Sequence, residues 1–168
     1  MKTYIDFDGV IIDSEKKLFE DYHKLNIRNQ DTKKEHIQKY DWTELLDNSE
    51  IINNAIEILK ELSLQDIAVL TKVFSADNEG AAKIKSLRKL GIFCEVILVP
   101  YNLNKTDVVD PKGNILVDDT VHNLDDWNNK GGIPIFFNKD NLDIDGWDNQ
   151  NKIYTKINRL DKIKNYWN

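Results

Sequence analysis

The chain's 168 residues suffice for one domain with a small insertion. Hydrophobic residues make up 40% and charged residues 31%, ordinary for a globular protein, and no apolar run approaches the roughly 20 residues a membrane span needs. The net charge of −6, with lysines and acids interspersed, argues against a duplex nucleic-acid binder but still permits a local site for a small anion.

Met1 leads straight into a strand-like segment over residues 2–7, which leaves no room for a signal peptide and implies a cytoplasmic location. Leu18, Tyr22 and Leu25 mark a helix from about Ser14, and a polar, irregular stretch runs on to Asp47. About 60 residues separate the first strand from the second, far more than one crossover helix requires. The expectation is therefore a small cap at residues 13–49 inserted into a core made of 1–12 and 50–168, all in one globular unit.

Ile52, Ala55, Ile56, Leu59 and Leu62 recur at helical spacing, with Ser49 as the expected N-cap. The second strand runs from Ile67 through Val69 and Leu70 to Thr71. Ile84, Leu87 and Leu90 form another helical stripe, stopped by Gly91. Further strands are expected at 94–99, 114–118, 133–137 and, more weakly, 153–157, and Leu160, Ile163 and Trp167 suggest a final helix. Cys94, the single cysteine, cannot pair internally and reads as a buried small hydrophobe in a reducing compartment. Strands alternating with helices predict a mostly parallel sheet with helices on both faces.

Ligands of open α/β sheets bind beyond the carboxyl ends of the strands. Asp6 and Asp8 close the first strand, and Asp118 and Asp119 close the fourth. If these strands are neighbours, four carboxylates converge and raise one another's pKa values. A hard divalent cation relieves the repulsion, and magnesium suits a few carboxylates plus a substrate phosphate. One Asp-rich strand end is more often a cap or turn than a catalyst; two in one chain, one followed by Gly9 for close backbone approach, are harder to explain that way.

In this order, Asp6-Phe7-Asp8-Gly9-Val10, Thr71, Lys105 and Ile115-Leu116-Val117-Asp118-Asp119 resemble the four motifs of the haloacid dehalogenase-like phosphatases. The resemblance implies a Rossmann-like, three-layer parallel α/β sheet with a small helical cap after the first strand. It also implies that Asp6 is a covalent nucleophile forming an aspartyl-phosphate and that Asp8 is the acid and base, an acid the superfamily's dehalogenases lack. Thr71 and the Lys72 backbone N–H would bond phosphoryl oxygens, and Lys105 would neutralise charge and hold Asp6. Magnesium would be bound by Asp6, the Asp8 backbone carbonyl and Asp119, with Asp118 acting directly or through water. Lys83 and Lys85 are rivals for the lysine role, but their patterned helix predicts a solvated face for both.

Val117 to Leu124 and Asn104-Lys105-Thr106 further resemble the 5′(3′)-deoxyribonucleotidase branch, which implies a nucleoside monophosphate as the small phosphorylated substrate. A base would need a stacking surface. Phe19 and Tyr22 sit at helical spacing and read as packing residues. Tyr40 and Trp42, in a polar stretch, are either substrate contacts or a wedge between cap and core. His122 reads as a residue on a solvated helix face, and His23 and His36 lack metal-ligand spacing. A phosphatase acting on a sugar phosphate or a polynucleotide end is the alternative enzyme; a phospho-accepting signalling or binding module is the alternative of another class. Oligomeric state is not legible in the sequence.

Overall fold

The structure, a computed structural model, describes residues 1–62, 65–140 and 154–167. Its sheet is parallel throughout: β1 (Thr3–Ile5), β2 (Ile67–Val73), β3 (Glu95–Pro100), β4 (Ile115–Asp118), β5 (Ile133–Phe137) and β6 (Thr155–Ile157), in the order β3-β2-β1-β4-β5-β6. The expected strands are all present, shifted by a residue or two at their ends; residue 153, where the sixth was expected to begin, lies outside the described residues. β2 runs two residues beyond Thr71 because Lys72 and Val73 still pair with Val99 and Pro100.

Alternation along the strands builds two cores. Ile5, Val69, Ile115 and Val117 face one cluster; Tyr4, Leu70 and Leu116 face the other, against Leu124 and Trp127 of helix α6 (Val121–Asn129). Trp127 packs edge-on to Tyr4 and donates its indole N–H to the Asn114 carbonyl at 3.0 Å.

The interval after β1 is more regular than its polar sequence predicts. It holds α1 (Ser14–Lys24), α2 (Gln30–Lys39) and α3 (Trp42–Asp47). Local capping explains the last two: the Asn29 side chain accepts from the Thr32 backbone N–H, and Asp41 from that of Glu44. Leu18, Tyr22, Trp42, Leu45 and Leu46 are buried in the same cluster as Ile5 and Val69.

Three local expectations need correction. Ser49 does not cap the next helix; its hydroxyl donates back to the Leu45 carbonyl at 2.8 Å, and α4 (Ala55–Leu62) starts later, after Asn53 and Asn54 turn the chain with positive φ. The C-terminal segment Leu160–Tyr166 winds as a 3₁₀ helix rather than an α-helix, with Trp167 beyond it donating to the Thr3 hydroxyl. Helix α5 (Ala81–Lys89), preceded by a π-turn at Ala76–Gly80, buries Ala82, Lys83, Ser86 and Leu87, so Lys83 is not on a solvated face. Gly91 follows α5 at φ +82° as expected, and Cys94 is half-buried against the core.

Candidate active site

β1 lies between β2 and β4, where the strand order reverses and the connections diverge, leaving a crevice at the carboxyl ends. Ile5 is level with Val117, and the Asp6 N–H bonds the Val117 carbonyl, so Asp6 and Asp118 meet one register step further on. Beyond Asp6 the chain turns sharply: Ile11 and Ile12 N–H groups bond the Phe7 carbonyl, and Gly9 N–H bonds the Ile12 carbonyl. Phe7, Val10, Ile11 and Ile12 are buried and anchor this turn in the core.

Asp6, Asp118 and Asp119 bring carboxylate oxygens within 4.8 Å of one another. Lys105, in a short 3₁₀ turn (Lys105–Asp107), reaches between them from below, 2.9 Å from Asp6 Oδ1 and 2.6 Å from Asp118 Oδ2. Asp6 Oδ1 also accepts the Phe7 N–H at 2.8 Å, and Oδ2 takes no protein donor among the described residues. Asp118, fully buried, is saturated: it also accepts from the Thr120 N–H and the Asn123 amide. Asp119 has only a long contact of 3.4 Å from the Thr120 hydroxyl among the described residues. Asp119 rests directly on Gly9, where a Cβ would lie 1.8 Å from Oδ2 and φ is +71°.

Burial drives the electrostatics. It pushes the Asp6 carboxyl up; Lys105 opposes this and Asp118 and Asp8 reinforce it, for a pKa of about 7. Burial, then Asp6 and Asp118, take Asp119 to about 8. Burial alone would lower the Lys105 pKa, but Asp118 and Asp6 outweigh it and hold the ammonium charged. One ammonium thus faces three carboxylates in a volume lined by hard oxygen donors, and a small divalent cation fits that remaining deficit of positive charge. Asp6 and Asp119 have the donor capacity for it; Asp118 has given its own to Lys105, Asn123 and Thr120.

A second cluster adjoins the first. Asp8 Oδ1 accepts from the Ser14 hydroxyl at 2.5 Å, and Asp8 Oδ2 from Lys83 Nζ at 2.5 Å. Thr71, fully buried, lies 3.4 Å from Asp8 Oδ2. Lys83 also reaches Glu79 Oε1 at 2.8 Å.

Asp8 opens onto a cavity of about 480 Å³ between α1, α2 and the ends of β2 and β3. Its walls include Phe19, Tyr22, Trp42, Lys72, Phe74 and Tyr101. Phe74 and Tyr101 stack with ring centroids 3.8 Å apart. Phe19, expected to pack, is 53% exposed. Tyr22 packs as expected, yet its hydroxyl is buried without a partner.

Of the two options left open for Tyr40 and Trp42, Trp42 is a core wedge that only edges this cavity, 3% exposed, with its indole N–H on the Ile37 carbonyl. Tyr40 lines a different cavity, of about 880 Å³, and its hydroxyl bonds Asp21. That larger space is lined mainly by charged side chains of α1, α2 and α3 and contains none of Asp6, Asp8, Asp118 or Asp119. His122 is exposed on α6, as read from the sequence. Ser14, Lys83, Phe74 and Tyr101 are the site residues the sequence did not single out for it. Lys83 had left a signal: it falls four residues after Glu79 and four before Leu87, on the apolar side of its helix.

The whole architecture has close counterparts. A haloacid dehalogenase-superfamily hydrolase of subfamily IA from Geobacter sulfurreducens PCA superposes with a TM-score of 0.62 at 14% identity, over 99% of this chain and 96% of that one. A phosphonoacetaldehyde hydrolase-like protein from Oleispira antarctica gives 0.61 at 13%, over 98% and 90%. A haloacid dehalogenase-like phosphatase from Thermococcus onnurineus gives 0.60 at 15%, over 99% and 97%. No family model and no curated protein sequence matches the chain. The fold is the Rossmann-type α/β fold of the haloacid dehalogenase-like hydrolases.

Proposed function

We propose that this chain is a magnesium-dependent phosphomonoester hydrolase that works through an aspartyl-phosphate on Asp6. The observation that carries this reading is Asp6 held at Oδ1 by Lys105 and the Phe7 N–H, with Asp8 two residues on facing the adjoining cavity. Asp6 is anchored at Oδ1 by Lys105 and Phe7, which leaves Oδ2 to attack phosphorus. As the bond from phosphorus to the leaving oxygen breaks, Asp8 supplies the proton that oxygen needs; water then attacks the phosphoryl group and returns a proton to Asp8 as phosphate leaves. A halide needs no such proton, so Asp8 favours phosphoester hydrolysis over dehalogenation. Thr71 and the Lys72 N–H serve the phosphoryl oxygens, with Lys105 behind them.

Asp6, Asp119 and the Asp8 backbone carbonyl would hold magnesium, with Asp118 fixing Lys105 behind the site. Bound there, the ion supplies positive charge for the phosphoryl oxygens. A nucleoside monophosphate suits the cavity beside Asp8, where the exposed Phe19 and the Phe74–Tyr101 pair offer aromatic surface to a base. A polynucleotide end is the second reading: Lys34, Phe74 and Tyr101 also line an adjoining cavity of about 370 Å³, which would accommodate a longer chain.

The test is phosphate release from nucleoside monophosphates, sugar phosphates and phosphorylated oligonucleotides, with and without magnesium. No turnover of any of them would refute the enzyme, and a stable phospho-protein without turnover would mark a phospho-accepting module instead.

Two further outcomes are expected. Without metal, Asp6 and Asp119 have folded pKa values of about 7 and about 8, above their ordinary carboxylate value of 3.8. The folded state then binds more protons than the unfolded one, so stability falls as pH rises from about 4 to 8. Magnesium should offset that loss at pH 8 and do little at pH 4, measured by denaturant midpoints. Gly9→Ala forces Asp119 aside and strains a positive φ. It is expected to raise the magnesium concentration needed for half-maximal thermal stabilisation by roughly 10–100-fold.

A further inference from the structure

Lys83 is a fully enclosed charge beside Asp8, and the scheme above does not use it. Its side chain is fully buried, 0% exposed. The ammonium lies 2.5 Å from Asp8 Oδ2, 2.8 Å from Glu79 Oε1, 3.2 Å from Thr71 Oγ1 and 3.1 Å from the Lys72 carbonyl. The rings of Phe7 and Trp42 stand on it at 5.5 Å and 5.4 Å. Glu79 is itself pinned by the Phe74 N–H at 2.8 Å. Parts from the β1 turn, β2, the π-turn and α3 thus converge on one amino group.

Core stability does not explain such a group. Replacing a buried ion pair by apolar side chains of similar volume is often neutral or stabilising. What the arrangement does fix is the plane of the Asp8 carboxyl. Ser14 holds one oxygen at 2.5 Å, and Lys83 holds the other at 2.5 Å. Asp8 keeps 23% of its side chain exposed, toward the cavity, while the lysine stays wholly behind it. A carboxyl so clamped presents one orientation to the leaving oxygen and then to the attacking water.

We infer that Lys83, braced by Glu79, is a positioning residue that aims the Asp8 carboxyl at the leaving-group oxygen. The inference rests on the acid–base reading of Asp8 given above. Lys83 itself gives up no proton and touches no reacting atom. Its removal therefore weakens proton delivery more than phosphoryl binding, although Lys83 also bonds Thr71 and the Lys72 carbonyl.

The measurement is kcat/KM over a series of phosphomonoesters, from alkyl phosphates, whose leaving oxygen must be protonated, to 4-nitrophenyl phosphate, whose leaving group departs unaided. Lys83→Met and the double variant Lys83→Met/Glu79→Met are compared with the parent and with Asp8→Asn. The double variant replaces the buried pair by apolar volume and so keeps the fold when the single variant strands Glu79. The expected result is about a 100-fold loss on alkyl phosphates, the scale of a misplaced catalytic group, against less than about threefold on 4-nitrophenyl phosphate. Asp8→Asn should show the same selectivity more strongly. A uniform loss across the series in folded double variant, or no loss at all, overturns the role of Lys83 while leaving that of Asp8 standing. An Asp8→Asn variant without leaving-group selectivity overturns both.

Discussion

Asp6→Asn protein is expected to lose roughly 10⁴–10⁶-fold in kcat on every phosphomonoester, the scale on which a covalent nucleophile is missed. Asparagine preserves the shape of the side chain and an oxygen for the Phe7 N–H, so the turn after β1 should hold. Only the attacking lone pair on an anionic oxygen is gone. The same substitution has the opposite effect on stability. Asp6 is ionised at the cost of burial and of repulsion from Asp118 and Asp8, and the neutral amide removes that cost. In metal-free protein at pH 8 the variant should melt higher than the parent, by about 2–4 °C for each kcal/mol regained. At pH 4, where the parent's carboxyl is protonated as well, the two should coincide. A variant that loses both activity and stability would mean that Asp6 holds the fold together rather than performs the chemistry.

Lys105→Met carries the second large effect, and here stability falls with activity. Lys105 is 2% exposed and is the ammonium shared by Asp6 and Asp118. Methionine fills the same channel but leaves two buried carboxylates facing each other, a loss of about 3–5 kcal/mol for breaking a buried pair. Denaturant titration should show it as a lower midpoint. Adding Asp118→Asn should restore much of the stability, since the saturated carboxylate becomes a neutral amide, yet activity should stay lost because Asp6 Oδ1 is no longer anchored. Recovery of turnover in the double variant would contradict the role given to the lysine.

The reach of the sequence differed between the sheet and the walls of the site. Ile115-Leu116-Val117 and its partner strands are short apolar runs bounded by turn signals, a pattern that local chemistry dictates, so strands and order of elements could be read directly. The meeting of Asp6, Asp118 and Asp119 was legible because strand ends are where such folds place ligands, whereas Asp8, expected to join them, is drawn aside by Ser14 and Lys83. Of the helices between β1 and β2, α1 was legible from Leu18 and Tyr22, but α2 was not, since it is held by an Asn29 cap and packing rather than by an apolar stripe. Lys83 shares the buried side of α5 with Leu87, but a lysine within the patterned helix of Ile84, Leu87 and Leu90 reads as solvated by residue type alone. Phe74 and Tyr101 directly follow different strands and meet because β2 and β3 pair up to Val73 and Pro100. Ser49 failed as a cap because its hydroxyl was taken by the helix before it.

Trp42, Leu45 and Leu46 sit in the same buried cluster as the sheet, and that contact sets the tempo of substrate entry. Swinging α3 away as a lid would return three large side chains to water, at about 1.5–3 kcal/mol each. Such an opened state is sparsely populated, so passage does not wait on a millisecond hinge. On the function proposed above, entry would instead run along the cavity mouth, where Phe19 and Tyr101 are 53% and 51% exposed, and turnover should respond weakly to solvent viscosity until diffusion itself becomes limiting.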